Sequence, residues 1–197
     1  MRNVMVLDAL ARRLNREAGR PAIPALFFFT DPERTPAPAK IAERLPRGAA
    51  VVYRHFGAAD RLSVAKALAA VCRRRGLTLL IAADPALARR VGADGVHWPE
   101  RLVHKARAGV GLQTGAAHSR RGLARAAATQ LDAAILAPVF PSRSPSAKRP
   151  LGPLRAGILA LAAALPVIAL GGVNARTAKR LPGRGFAGLA AVEGLRD

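Results

Sequence analysis

The chain is poor in aromatic residues, which make up 4% of its 197 positions, has one cysteine, Cys72, and carries only 12 Asp and Glu against 32 Lys and Arg. A single cysteine excludes a disulfide framework and a cysteine metal cluster. No apolar run approaches the roughly 18 residues of a membrane span, and MRNVMVLDALARRLNREAGR at the N-terminus has too short an apolar stretch for a signal peptide. A cytoplasmic protein with no membrane partner is expected. The shortage of acids leaves a formal charge of +20, which would ordinarily point to nucleic acid or another polyanion. The arginines are, however, dispersed among alanines and no aromatics interleave with them, which weighs against nucleic acid. A small phosphate-bearing ligand would benefit from the same field.

What is present in quantity is hydrophobic sequence, 51% of residues, enough for one sizeable core. Short apolar runs recur at 23–30, 49–54, 77–83, 94–98, 108–114, 133–140, 165–172 and 186–192. They are continuous rather than alternating, as in parallel strands covered on both faces. Helical spacing fills the gaps at 37–45, 60–75, 85–91, 119–129, 153–164 and 175–181, with Asp60 as an expected N-cap and Leu62, Ala65, Leu68, Ala69 and Cys72 on one face. Eight strands with helical crossovers predict a single compact α/β domain, a (β/α)8 TIM barrel whose last helix is short or missing; an open doubly wound sheet is the competitor. The division expected is an N-terminal helix at 1–20 and a barrel at 21–197. That first helix would cover the barrel floor or make an oligomer contact.

In such a barrel ligands meet the C-terminal ends of the strands. The stretch LPVIALGGVNARTAKRL puts Gly171 and Gly172 in the loop after the seventh strand, and Glu193 and Gly194 follow the eighth. Glycine lets the backbone approach and point N–H groups at phosphate oxygens, and Asn174 could cap a following helix whose dipole faces the same anion. The plainer alternative is a tight turn with nothing bound.

GADGVHW, APVFPSRS, PLG and LPVIALGGVN, in this order and spacing, resemble the thiamine-phosphate synthase and TenI-like thiazole tautomerase superfamily, and the resemblance runs from FFFTDPER to GFAGLAAVEG. It implies a (β/α)8 fold and a phosphate pocket at Gly171, Gly172, Ala191 and Val192. In the synthase, a thiazole phosphate is joined to a pyrimidine pyrophosphate with loss of Mg-bound pyrophosphate. Synthases carry Gln-x-Arg-x-Lys after the second strand; here VYRHF keeps Arg54 but has Val52 and Phe56 at the outer positions. The Asn-Asp pair after the third strand is matched by Ala82 and Ala83, with Asp84 one residue on. A second metal carboxylate falls on Leu102, near Glu100, and a serine after the fifth strand is Ala116. The Thr-x-Thr-Lys pattern becomes Ser142, Arg143, Ser144 and Pro145, keeping hydroxyls while losing the lysine, with Lys148 and Arg149 nearby.

These departures remove charge from one leaving group, so the metal-free branch is the favoured expectation: a thiazole phosphate bound at the C-terminal face and tautomerised without a cofactor. His118 matches the tautomerase histidine and would carry the proton, with Arg54 facing a ligand carboxylate or phosphate, or paired with Asp31 or Asp84. Ser142, Ser144, His97 and Trp98 complete the expected pocket, His97 as a packed histidine bonded to backbone and Trp98 as a wall. His55 and His104 read as surface residues. The alternatives are an active synthase, which would need Mg, and a silent regulator that binds thiazole phosphate or thiamine phosphate. A homo-oligomer is compatible with all three.

Overall fold

A computed structural model describes residues 2–20, 22–106, 111–142 and 149–196. Its strands are β1 (Leu26–Phe29), β2 (Ala50–Tyr53), β3 (Thr78–Ala82), β4 (Gly95–Trp98), β5 (Leu112–Ala117), β6 (Ala133–Leu136), β7 (Val167–Ala169) and β8 (Gly188–Ala191). All pair in parallel with their sequence neighbours, and β8 pairs with β1 to close a TIM barrel. The expected fold is the observed one. β5 lies further along the chain than the apolar run at 108–114 suggested; 107–110 fall outside the described residues.

The helices are α1 (Arg2–Glu17), α2 (Pro38–Ala42), α3 (Arg61–Arg75), α4 (Pro85–Val91), α5 (Arg120–Ala128) and α6 (Pro153–Leu161). Asp84 and Ser119 cap α4 and α5 through side-chain bonds to Leu87 N and Gly122 N, whereas Asp60 occupies the cap position of α3 without such a bond. Two crossovers carry 3₁₀ turns among the described residues, at Glu100–Lys105 and Ala178–Arg180, and a third such turn, Glu193–Leu195, follows β8. The helix expected over 175–181 is therefore a single turn. Among the described residues, no helix is long and apolar enough to cross a membrane.

Strand side chains alternate between two cores. Phe27 and Phe29 fill the barrel interior against small neighbours, Ala50, Ala82, Ala133 and Ala190. Their intervening residues, such as Phe28, Val51 and Tyr53, face the helices. Large side chains from one strand are offset by alanines from others, keeping a narrow interior filled.

α1 packs on β8 and β1, on the flank of the barrel where an eighth helix would lie, and its last turns reach the floor, where Arg12, Asn15 and Arg16 line a cleft with Gly48, Thr78 and Asp94. Leu7, Ala11 and Leu14 are its fully buried stripe. At its foot the Asn15 amide donates to Arg20 O (2.8 Å), Ile23 O (3.3 Å) and Ala187 O (3.0 Å), tying α1 to the entry of β1 and of β8. Leaving buried carbonyls without a donor costs about 1–3 kcal/mol. Asn15→Ala is expected to lower the urea midpoint by an amount worth about 2 kcal/mol with an unchanged slope; an unaltered midpoint would remove Asn15 from the account of closure.

Candidate active site at the C-terminal mouth of the barrel

The inward alternation brings Phe29, His97, Ala116, Ile135 and Leu170 to the top of the barrel, where they line a cavity of about 750 Å³. Its rim comes from the loops after β1, β2, β6, β7 and β8 and from Asn3 at the start of α1. The two sides of the cavity differ in how they can hold an anion.

One side is backbone. Gly171 (φ +94°) and Gly172 (φ +63°) lie against the segment after β6. A Cβ on Gly171 would sit 2.7 Å from Pro138 Cα, and one on Gly172 only 2.2 Å from Pro141 O. The glycines thus serve a left-handed backbone and a close approach together. The backbone N–H groups of Gly171, Gly172 and Val173 have no acceptor among the described residues. Asn174 does cap, but it caps a turn: its Oδ1 accepts from Arg176 N (2.9 Å) and Thr177 N (3.0 Å), while Thr177 Oγ1 donates to Gly172 O (2.8 Å). With no α-helix behind it, the expected helix dipole is absent and the loop offers N–H groups alone. Ser142, Ala191, Val192 and Gly194 complete this side.

The other side is cationic. Arg54 lies over the Phe29 ring at 5.3 Å, and its Nε donates to Thr30 O at 2.9 Å. Asp31, not Asp84, is its carboxylate neighbour, at 3.8 Å. The same Asp31 oxygen accepts from Arg34 Nη2 at 2.7 Å, and Asp31 Oδ1 accepts from the backbone N–H of Glu33 and Arg34. Burial alone would push the Asp31 carboxyl up; the Arg34 bonds and charge outweigh it and hold it at about 2. Burial, with Arg34 adding repulsion, pulls Arg54 down to about 10, which leaves it charged at neutral pH. Arg34 drew no attention in the sequence. The readable signal was the Asp31-x-x-Arg34 spacing, one turn of loop placing acid and base together.

The histidines divide sharply. His97 is buried, with Nδ1 2.9 Å from Thr114 Oγ1 and its ring edge-on to Phe29 at 5.1 Å. Its partner is a hydroxyl rather than the expected backbone. Burial and the nearby Arg54 charge push it down to about 3, so it faces the cavity neutral. His118 is open, with 43% of its side chain exposed. Its Nδ1 is 2.6 Å from Ala137 O, a contact that requires an Nδ1–H donor. In the neutral ring Nε2 then carries the lone pair, 3.9 Å from Glu100 Oε2, whose partner oxygen pairs with Arg125. That arrangement leaves an acceptor nitrogen on a ring that lines the cavity, beside a carboxylate.

Two expectations need correction. Trp98 follows the inward His97 on β4 and so points outward, where it is buried in the helix-facing core and donates Nε1–H to Gln113 Oε1 at 3.2 Å. It is no part of the cavity wall. His55, expected on the surface, is buried beside Tyr53, its Nε2 without a hydrogen-bond partner among the described residues. Ser144 lies outside the described residues, as do Arg143, Pro145 and Lys148. His104 is exposed as expected.

The Mg²⁺ implied by the synthase resemblance finds no fitting donor set among the described residues. Ala82 and Ala83 offer no oxygen ligands from their side chains, Asp84 caps α4 and stands 3.8 Å from Arg61, and Glu100 is engaged by Arg125. No cluster of three or more His, Cys, Asp or Glu able to hold a metal occurs among the described residues.

A family model described as thiamine monophosphate synthase matches residues 26–195. The chain is similar to a thiamine-phosphate synthase of Thiobacillus denitrificans, 37% identical over 161 residues covering 76% of this chain and 74% of that one. A thiamine-phosphate synthase of Chlorobium luteolum is 31% identical over 185 residues, covering 89% and 86%. Among solved structures, a thiamine phosphate pyrophosphorylase from Pyrococcus furiosus superposes with a TM-score of 0.73 at 22% identity, covering 95% of this chain and 91% of that one, a likeness of fold. The chain belongs to the thiamine monophosphate synthase family.

Because the folded value of His97 lies below its ordinary value of about 6.5, keeping it neutral contributes stability that is complete above that pH and is lost as pH falls toward about 3. Its carbon-bound ring protons are expected to keep one chemical shift from pH 8 to pH 5; a titration midpoint near pH 6 would contradict its burial.

Proposed function

We propose that this member of the family joins a thiazole phosphate to a pyrimidine pyrophosphate, forming thiamine phosphate and releasing pyrophosphate in thiamine biosynthesis. One observation carries the reading: a single cavity has two different anion-accepting sides, the Gly171–Val173 N–H groups and the Arg34 and Arg54 pair. The carboxylate of a tautomerase substrate would call on one guanidinium of the second side, whereas the pyrophosphate of a condensation substrate has oxygens enough for both, and the named relatives point the same way.

In this reading the thiazole phosphate docks on the β7 loop, aided by Ser142 and the backbone at Ala191 and Val192, and its ring extends across the apolar centre formed by Ile135 and Leu170. The pyrophosphate end of the second substrate meets Arg54 and Arg34. The methylene carbon–oxygen bond breaks with its electron pair leaving on pyrophosphate, and the thiazole nitrogen bonds to that carbon. Charge accumulates on the departing oxygens, where two guanidiniums with little water around them stabilise it most. Neutral His97 and Phe29 line the space between without adding charge.

His118 supports a second reading, metal-free tautomerisation of a thiazole carboxylate phosphate, since its Nε2 is an available base beside Glu100. The two readings separate in one set of assays. Thiamine phosphate is expected from the two precursors, with Gly172→Val raising the KM for thiazole phosphate at least tenfold. Should none form while the tautomer appears and His118→Gln abolishes it, the second reading replaces the first. Binding of thiazole phosphate with neither turnover would make the protein a silent binder.

A further inference from the structure

We infer that the cationic side of this cavity is a pyrophosphate site that works without a divalent cation, with Arg34 adding beside Arg54 a second guanidinium whose donors meet the oxygens a metal would otherwise hold. The inference rests on the proposed synthase reading for the identity of the ligand and on the side chains for the rest.

Three observations carry it. First, the positions where metal carboxylates are expected hold Ala82, Ala83 and Leu102, and the neighbouring acids are engaged elsewhere, Asp84 in capping α4 and Glu100 with Arg125. Second, Arg54 is a half-buried guanidinium whose terminal nitrogens make no hydrogen bond among the described residues; its bonded donor is Nε, on Thr30 O, and its nearest acid oxygen is 3.8 Å from Nη2. A guanidinium kept in the cavity wall with open donors is poised for an anion with several oxygens. Third, Arg34 is held beside it by a loop built for that purpose. Asp31 accepts from the backbone N–H of Glu33 and Arg34 and from Arg34 Nη2, while Thr35 Oγ1 donates to Asp31 O and accepts from Asp31 N. Asp31 supplies one negative charge between two positive ones, so the group keeps a net positive charge facing the cavity. The synthase reading supplies a diphosphate as the anion, and its several oxygens can reach both guanidiniums. Asp31 acts as the positioning residue.

The test is calorimetric titration of the full chain with inorganic pyrophosphate, in EDTA and again with excess Mg²⁺, alongside the thiamine phosphate assay under the same two conditions. Saturable binding is expected in EDTA, with no tightening by Mg²⁺, and Arg34→Gln should weaken it at least tenfold while thiazole phosphate affinity is unchanged. That unchanged affinity certifies the fold of the variant; if Arg34→Gln does not fold, Arg34→Lys should weaken pyrophosphate binding by a smaller factor. Pyrophosphate binding that appears only with Mg²⁺, or that is indifferent to Arg34, overturns the inference. Thiamine phosphate formed only with Mg²⁺ would likewise overturn it while the synthase reading stands. Metal-free pyrophosphate binding without thiamine phosphate formation would leave the inference standing and remove the synthase reading.

Discussion

Barrel closure imposes the constraint from which everything else follows. Eight parallel strands share one axis, and residues alternate in and out along each, so the last inward residue of every strand meets the others at one mouth. Phe29, Arg54, His97, Ala116 and Leu170 converge there because of register alone, although they are scattered from end to end of the chain. The same rule sends Trp98 and Tyr53 outward. A one-residue slip would exchange the inner and outer sets of a strand, and with them the chemistry of the mouth.

Closure has its own requirements at the seam. β1 and β8 pair directly, and α1 covers the flank that the short turn at Glu193–Leu195 leaves open. Because α1 begins at the mouth, with Asn3 on its rim, and ends at the foot, where Asn15 ties the chain entering β1 to the chain entering β8, one helix touches both ends of the barrel. The functional end is where local regularity is given up. The turn after β7 trades a crossover helix for Gly171 and Gly172 in left-handed backbone and three open N–H groups.

Much of this was legible in the sequence, and what was not has specific causes. Continuous apolar runs pointed to eight strands, and the Gly171–Gly172 pair, Gly194 and the histidines at 97 and 118 lie at the mouth. The reading of Trp98 as a wall failed because His97 and Trp98 are adjacent and cannot both face inward. The β5 boundary moved because Gln113-Thr114-Gly115-Ala116-Ala117 is only weakly apolar, yet small residues fit a strand packed on both faces. The helix after Asn174 was overestimated because a basic, helix-like pattern at 175–181 says nothing of the loop bonds from Asn174 and Thr177 that take up its first turn. Arg34 was missed since its role depends on a fold that brings the β1 and β2 loops together around Asp31.

The proposed function stands on one cavity holding anions by two different chemistries, backbone on one side and guanidinium on the other. The most direct measurement is nitrogen-15 NMR of the labelled protein with thiazole phosphate and pyrophosphate added separately. Thiazole phosphate is expected to move the backbone signals of Gly171, Gly172 and Val173, and pyrophosphate the Nε signals of Arg34 and Arg54. Both ligands moving the same set of signals would contradict that division.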